Sequence, residues 1–144
     1  MSKVLPRTVG DLMTREVITL FEEDNLERIE EGMQRYRFRH LPVVDDGKLV
    51  GLVTHRDILR AQASSLETGS AQKNRLLTES VFVRDIMQQN VTTVKADMAL
   101  SDAGDLMVNE KRGCLPVVDD AGNLVGIITE ADFVKLAVRL LRVT

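Results

Sequence analysis

Two short stretches of the sequence place a threonine three residues before an aspartate: Thr54 with Asp57, and Thr129 with Asp132. An ionised carboxylate only accepts hydrogen bonds and has two oxygens, so it can receive both hydroxyl groups of a ribose cis-diol. A threonine hydroxyl at a helix start lies beside free backbone N–H groups and the positive end of the helix dipole, which together attract phosphate. Each pair therefore has the chemistry to bind a ribonucleotide.

The same spacing also has a purely structural interpretation. A threonine at the N-cap with an acidic residue three positions later forms a capping box, which stabilises a helix without any ligand. The motif alone favours capping, although the two roles are compatible. The ligand-binding interpretation therefore depends on the sequence that surrounds each pair.

Segment 35–40, which reads Arg-Tyr-Arg-Phe-Arg-His, is a second candidate for chemistry. Cations interleaved with aromatic side chains can bind phosphate or stack on bases. A solvated helix end gives the same pattern, because cations match the negative end of the helix dipole. Both interpretations remain open for this segment.

The composition argues against nucleic-acid binding and metal binding. The 144 residues include 19 Lys and Arg against 22 Asp and Glu, and the resulting net charge of −3 is too balanced for a dedicated polyanion binder. The single cysteine, Cys114, cannot form an intramolecular disulfide. One cysteine and two histidines are also too few for the usual Cys/His zinc sites. We therefore expect no metal and no nucleic-acid partner, and we expect Cys114 to be a small buried apolar residue.

Catalysis and membrane association are also not expected. The sequence shows no Ser-His-Asp order, no glycine-rich phosphate loop and no carboxylate pair at catalytic spacing. It has no apolar run long enough to span a membrane and no apolar block near its N-terminus. These features predict a cytoplasmic protein that is not an enzyme and has no membrane partner.

The two Thr–Asp pairs belong to an internal repeat. Residues 9–61 align with residues 83–136 after one inserted residue, Ala121, and 19 of the 53 aligned pairs are identical. The sequence LPVVDD begins at Leu41 and again at Leu115, and LVG follows in both copies. We predict a first motif over residues 9–61, a polar linker over 62–80 and a second motif over 83–140.

Each copy predicts the same order of elements, β-α-β-β-α. An extended stretch precedes Asp24 or Asp97, which are predicted helix N-caps. The helix that follows has apolar residues three and four positions apart, and two apolar runs separated by turn residues then predict a hairpin before the second helix. A unit of about 55 residues is marginally stable alone, so we expect the two copies to pack against each other.

The doubled pattern of D-[LI]-M, V-x-T, LPVVDD, LVG and T-x-x-D resembles the cystathionine-beta-synthase (CBS) domain pair, or Bateman module, over nearly the whole chain. The resemblance implies an α+β fold in which two repeats pack with pseudo-twofold symmetry, as a stand-alone CBS pair. It also implies that AMP, ADP, ATP or an adenosyl ligand such as S-adenosylmethionine binds in clefts between the two sheets.

The resemblance assigns expected roles to residues of this sequence. The aspartate of T-x-x-D binds the ribose hydroxyls, the threonine contacts phosphate, and the V-x-T and Leu-Pro segments frame the base. Segment 35–40 precedes Leu41 and Pro42, beside the expected cleft, with a less basic counterpart in the second copy. The candidate ligand-binding residues are Thr19, Arg37, Arg39, His40, Pro42, Thr54, Asp57, Thr93, Lys111, Arg112, Pro116, Thr129 and Asp132.

We therefore expect a ligand-sensing regulatory module that binds an adenine-containing ribonucleotide and controls another protein. The apolar residues from Phe133 to Leu141 predict a homodimer, because a helix with so many apolar residues needs a partner surface. A dimeric interaction scaffold without a ligand, and a nucleic-acid binder that uses segment 35–40, are the alternatives.

Overall fold

The computed structural model describes residues 5–36, 39–66 and 81–142, with the backbone alone for 34–36 and 64–66. The chain divides into two compact units. One unit is the continuous segment Ile18–Val91, and the other joins the residues up to Val17 to those from Thr92 onward. No helix in the described part of the chain is long and apolar enough to span a membrane.

The described elements are mixed α and β, as predicted. The helices are α1 (Val9–Leu12), α2 (Leu26–Tyr36), α3 (His55–Leu66), α4 (Val83–Ile86), α5 (Leu100–Glu110) and α6 (Glu130–Leu141). The strands are β1 (His40–Asp45), β2 (Lys48–Thr54), β3 (Cys114–Val118) and β4 (Leu124–Thr129).

The two predicted hairpins are confirmed. Strands β1 and β2 pair antiparallel with His40 opposite Thr54, and β3 and β4 pair with Cys114 opposite Thr129. The first hairpin turns at Asp46 and Gly47, whose φ angles are 51° and 81°. Two successive left-handed residues form the tight turn that matches the natural twist of paired strands.

The second hairpin has a longer turn that accommodates the inserted Ala121. The Asp119 carboxylate accepts from the backbone N–H groups of Ala121 and Asn123, at 2.9 Å each, and from the Asn123 side-chain amide at 3.0 Å. These hydrogen bonds, above all the one from the Asn123 side chain, lower the pKa of Asp119 below its ordinary value. One aspartate thus organises the whole turn.

Each hairpin pairs with two further extended segments, one on each side. In the unit Ile18–Val91, Leu20 bridges to Val43 of β1 in parallel, and Gln88 bridges to Leu52 of β2 antiparallel. In the other unit, Val94 bridges to Val117 of β3, and Thr14 bridges to Ile127 of β4. One flanking segment of every hairpin therefore comes from the other sequence repeat, so the compact units do not coincide with the repeats.

Each unit has its own hydrophobic core, built from the helix face that the sequence predicts. Leu26, Ile29 and Met33 of α2 are buried, at spacings that place them on one side of the helix. Leu100, Ala103 and Met107 occupy the same places on α5 and are also buried. We call the flanking segments that come from the other repeat, around Thr14 and Gln88, the exchanged segments. The helices just before them complete these cores, with Val83 in the unit Ile18–Val91 and Val9 in the other unit.

The predicted helix N-caps are wrong in both copies. Helix α2 begins after Asn25, whose Oδ1 accepts from the Arg28 backbone N–H at 3.0 Å, while the Asp24 carboxylate accepts from Phe21 N–H at 2.8 Å. Helix α5 begins after Ala99, which has no capping side chain, and Asp97 lies two residues earlier. In the first copy the neighbouring Asn25 competes successfully for the capping position, since asparagine caps as well as aspartate does.

At one position of each hairpin, a segment from the other repeat lies so close that a side chain larger than that of glycine would force its neighbours to shift. A Cβ on Gly126 would lie 2.6 Å from Met13 Sδ and 2.9 Å from the main-chain oxygen of Thr14. A Cβ on Gly51 would meet Met87 Sδ at 2.6 Å and the main-chain oxygen of Gln88 at 3.1 Å. The LVG glycine of each repeat is therefore explained by the close approach of a segment from the other repeat.

We predict that Gly126→Ala lowers the free energy of unfolding by about 1 to 3 kcal/mol, because the added methyl group overpacks against a fixed carbonyl. The matched control is Gly32→Ala in helix α2, where the new Cβ would have no neighbour within 4 Å apart from the adjoining residues and the backbone of the helix itself. That change should stabilise by about 0.5 to 1 kcal/mol. Urea denaturation measures both, and a Gly126→Ala midpoint at or above that of Gly32→Ala would contradict the packing argument.

Candidate functional site

The first Thr–Asp pair forms a capping box at the start of helix α3. Thr54 Oγ1 accepts from the Asp57 backbone N–H at 3.3 Å, and Asp57 Oδ2 accepts from the Thr54 backbone N–H at 2.9 Å. The Thr54 hydroxyl also donates to the same Oδ2 at 3.0 Å. The structural interpretation of the motif is confirmed, and it uses one carboxylate oxygen, Oδ2.

The second pair repeats this geometry at the start of helix α6. Asp132 Oδ2 accepts from the Thr129 backbone N–H at 2.9 Å and from its hydroxyl at 3.2 Å, while Thr129 Oγ1 accepts from the Asp132 N–H at 3.3 Å. In both units the Oδ1 atom therefore takes no part in capping. This second oxygen is the acceptor that a ligand could use.

Two residues that the sequence analysis missed contact these carboxylates. The Gln88 side-chain amide nitrogen lies 3.4 Å from each Asp57 oxygen, and the Thr14 hydroxyl lies 3.4 Å from Asp132 Oδ1. Residues 14 and 88 occupy the same place in the two repeats, directly after D-[LI]-M. The sequence does contain a signal for these two residues, since both copies have a polar residue at this position. An alignment of the two copies does not reveal, however, that each residue lies beside the aspartate of the other repeat.

The two aspartates differ in exposure. Asp57 is 8% exposed and is the buried charged residue of the described chain, whereas Asp132 is half-buried. Solvent and small molecules therefore reach Asp132 more easily than Asp57.

Basic residues flank the first pair at one end of the β1–β2 hairpin. His40 lies opposite Thr54 in the strand register, and the His55 backbone N–H donates to the Arg39 carbonyl at 2.9 Å. Arg39 is exposed and His40 is half-buried. The structure thus brings Arg39, His40, Thr54 and Asp57 together, while Arg37 lies outside the described residues.

The second pair has a different neighbourhood. Glu130 N–H donates to the Gly113 carbonyl at 3.1 Å, so the positions of Arg39 and His40 are taken by Gly113 and Cys114. Burial raises the pKa of the Cys114 thiol to about 12, and this side chain is therefore neutral where the first copy has an imidazole. Two cations remain nearby in sequence: Lys111 is exposed in a left-handed conformation, and Arg112 Nε lies 3.5 Å from Glu110.

The V-x-T and Leu-Pro segments lie side by side in each unit. Leu20 N–H donates to the Pro42 carbonyl at 2.9 Å, and Val94 N–H donates to the Pro116 carbonyl at 3.1 Å. Both prolines are buried. The threonines that precede Leu20 and Val94 differ in exposure, since Thr19 is half-buried and Thr93 is exposed. The prolines therefore contribute main-chain carbonyls and shape rather than exposed side-chain surface.

A cavity of about 380 Å³ lies in the unit Ile18–Val91. It is lined by Ile18, Thr19, Leu20, Phe21, Asp24, Arg28, Ile29, Gly32 and Leu41. This volume falls within the range of small-molecule pockets, and the lining combines apolar walls with a few polar groups. Its residue Leu41 pairs with Val53, one position before Thr54, so the cavity and the first Thr–Asp pair share the same end of the hairpin.

No group of three or more potential metal ligands was found in the described part of the chain. Each unit by itself instead offers an aspartate with a threonine partner and cations nearby in sequence.

A family model described as the CBS domain matches residues 9–64 and 83–139. Among solved structures, a Vibrio cholerae protein named AcuB is 38% identical with a TM-score of 0.81, over 95% of this chain and 94% of that chain. CBSX2 of Arabidopsis thaliana, solved in complex with AMP, is 31% identical with a TM-score of 0.80, over 95% and 100%. The CBS domain pair of protein MJ0100, solved with 5′-methylthioadenosine and S-adenosyl-L-methionine, is 28% identical with a TM-score of 0.76, over 94% and 99%.

Longer proteins also contain a matching segment. The MJ1225 protein of Methanocaldococcus jannaschii is 34% identical over 132 residues, which are 88% of this chain and 46% of that protein. The chain thus spans about half the length of this relative, and most of the length of the solved structures above.

Proposed function

The chain belongs to the CBS-domain family as a tandem pair of its repeats, and on this basis we propose that it is a regulatory module that binds an adenine-containing ribonucleotide or an adenosyl compound. The observation that carries the proposal is the Oδ1 atom of Asp57 and of Asp132. The capping box fixes each carboxylate through Oδ2, and Oδ1 takes no part in it, so we propose that ribose hydroxyls donate to Oδ1.

The surroundings of the first aspartate suit the remaining parts of a nucleotide. The cavity that includes Thr19 and Leu41 has apolar walls for a base, and Arg39 and His40 supply cationic and polar groups for phosphate. In the second unit, Lys111 and Arg112 take the phosphate role, with Thr93 and the Pro116 carbonyl beside the base. AMP, ADP, ATP and S-adenosylmethionine share the adenosine portion that these groups would recognise.

The solved relatives support this class of ligand. CBSX2 was solved with AMP, the MJ0100 pair with two adenosyl compounds, and the cytosolic domain of the magnesium channel MgtE with ATP. All four compounds carry an adenine base on a ribose with free 2′ and 3′ hydroxyl groups, and this adenosyl portion is what they have in common. The ligands differ only in the groups attached to this shared portion, so contacts with those groups would determine which of them this chain binds.

We propose that the chain acts through binding rather than catalysis. A ligand that binds one conformation more tightly than another shifts the population toward that conformation by its difference in affinity. A protein that recognises this conformation would then be regulated by the concentration of the nucleotide.

We predict that an adenosine ligand at one hundred times its dissociation constant stabilises the fold by about 2.7 kcal/mol. For a chain of this size the melting temperature should rise by roughly 5 to 10 °C. A thermal-shift panel of AMP, ADP, ATP, S-adenosylmethionine, NAD and a short RNA measures this effect. No shift with any adenosine compound at millimolar concentration would favour the ligand-free scaffold, and a salt-sensitive shift with RNA alone would favour a nucleic-acid binder.

We predict that Asp57→Asn or Asp132→Asn weakens binding at the affected site by roughly 10- to 150-fold, because charge-assisted hydrogen bonds worth about 1.5 to 3 kcal/mol are lost. The wild type should bind AMP more tightly than 2′-deoxy-AMP, and the Asn variants should discriminate less between them. Calorimetric titration measures both quantities.

Asp11→Asn is the matched control for these variants. Asp11 caps helix α1 in the same way, accepting from the backbone N–H groups of Thr8 and Arg7 at 3.1 and 3.0 Å, and these bonds lower the pKa of its carboxyl group. If the aspartates only cap helices, all three variants should lose about 0.3 to 1 kcal/mol of stability and keep full affinity. If the wild type and all three variants discriminate equally between AMP and 2′-deoxy-AMP, neither Asp57 nor Asp132 binds the ribose.

We also propose that two copies associate through helix α6. Val134, Val138, Leu140 and Leu141 are between 41% and 78% exposed, an apolar surface that the described residues of one chain leave uncovered. We predict a mass twice that of one chain by light scattering, and Leu141→Glu should reduce it to that of one chain. Val108→Glu, at a 76% exposed position on α5, is the control that should leave the mass unchanged. A monomer at all accessible concentrations would contradict the proposal.

A further inference from the structure

We infer that positions 14 and 88 set the ribose affinity of the two aspartates, and that Gln88 competes with the ligand at Asp57. The inference rests on the proposed function, because it takes ribose hydroxyls as the donors to each carboxylate. Its basis is a difference between two positions that the repeat makes equivalent. Position 88 carries a glutamine and position 14 a threonine, and each contacts the carboxylate of the other repeat's motif.

Asp57 has little accepting capacity left. Its Oδ2 already accepts from the Thr54 backbone N–H and hydroxyl, and the Gln88 amide nitrogen lies 3.4 Å from both Oδ1 and Oδ2. The residue is 8% exposed. A cis-diol needs two acceptor positions on the carboxylate, so an entering ribose must displace the Gln88 amide.

Asp132 is less enclosed. The Thr14 hydroxyl contacts Oδ1 alone, and Asp132 is half-buried. A hydroxyl can turn to accept as well as donate a hydrogen bond, so Thr14 does not have to leave when a ribose hydroxyl arrives. For a ligand recognised through its nucleoside portion alone, Asp132 should therefore be the tighter site.

Both side chains can be exchanged without disturbing the sheet edge that carries them. The Gln88 backbone N–H donates to the Leu52 carbonyl at 2.8 Å, and the Gln88 main-chain carbonyl accepts from the Leu52 N–H at 3.0 Å. Thr14 makes the equivalent pair of main-chain bonds with Ile127, at 2.8 and 2.9 Å. The main chain thus fixes each position, and the side chain sets only what faces the aspartate.

The experiment uses adenosine, because a ligand without phosphate removes the contribution of Arg39 and the other cations. In the Asp132→Asn variant only the Asp57 site keeps its carboxylate, and in the Asp57→Asn variant only the Asp132 site keeps it. Each variant therefore allows one site to be measured by itself. In the Asp132→Asn background, Gln88→Ala and Gln88→Thr should each tighten adenosine binding by about 3- to 10-fold, because a long hydrogen bond to a carboxylate no longer has to be broken. In the Asp57→Asn background, Thr14→Gln should weaken binding by a similar factor.

Gln89→Ala, at the exposed neighbouring position, is the control and should leave the affinity unchanged. The melting temperature of each variant separates a change in ligand competition from a loss of folding. Unchanged or weaker binding by Gln88→Ala and Gln88→Thr, in a protein whose wild type binds adenosine, would overturn this inference and leave the proposed function intact. Absence of adenosine binding by the wild type and by every Gln88 variant would also overturn this inference, and the thermal-shift panel of nucleotides would then decide the proposed function separately.

Discussion

The main-chain pairing between each hairpin and a segment of the other repeat is the interaction on which the rest of the structure depends. It consists of two reciprocal pairs of hydrogen bonds, Leu52 with Gln88 and Ile127 with Thr14. These bonds satisfy a strand edge that would otherwise be open, and they place Val83 and Val9 in the two cores. They also leave little room for a side chain at Gly51 and Gly126, and they bring positions 88 and 14 to the aspartates.

In the function we propose, each aspartate combines a structural role with a ligand-binding role through its two oxygens. Oδ2 of Asp57 or Asp132 holds the helix start, which fixes the carboxylate before any ligand arrives. A group fixed in this way loses little conformational freedom on binding, so more of its interaction energy contributes to affinity. The two interpretations of T-x-x-D are therefore parts of one arrangement, in which capping orients the acceptor that a ribose would use.

Periodicity predicts the elements of this protein well because each depends on nearby residues. Leu26, Ile29 and Met33 mark one helix face, and Asp46-Gly47 marks a tight turn, so both could be identified from spacing and residue type alone. The cap at Asn25 was missed because Asp24 and Asn25 are both good capping residues and local sequence does not decide between them. The exchange of segments was missed for a different reason: the two repeats are so similar that D-[LI]-M fits either hairpin. The contacts of Gln88 and Thr14 depend on that exchange and could not be predicted without it.

The division of the chain has a consequence for the order in which the protein folds during synthesis. The unit Ile18–Val91 is continuous, so it can form as soon as those residues have left the ribosome. The segment that contains Thr14 is made before that unit, yet its partner strand contains Ile127, and the Thr14–Asp132 contact spans 118 positions. Contacts of such long range form slowly because the intervening chain must be closed into a loop. The segment that contains Thr14 therefore waits until Ile127 and Asp132 have been translated, and the unit that contains the more accessible aspartate is completed after the other.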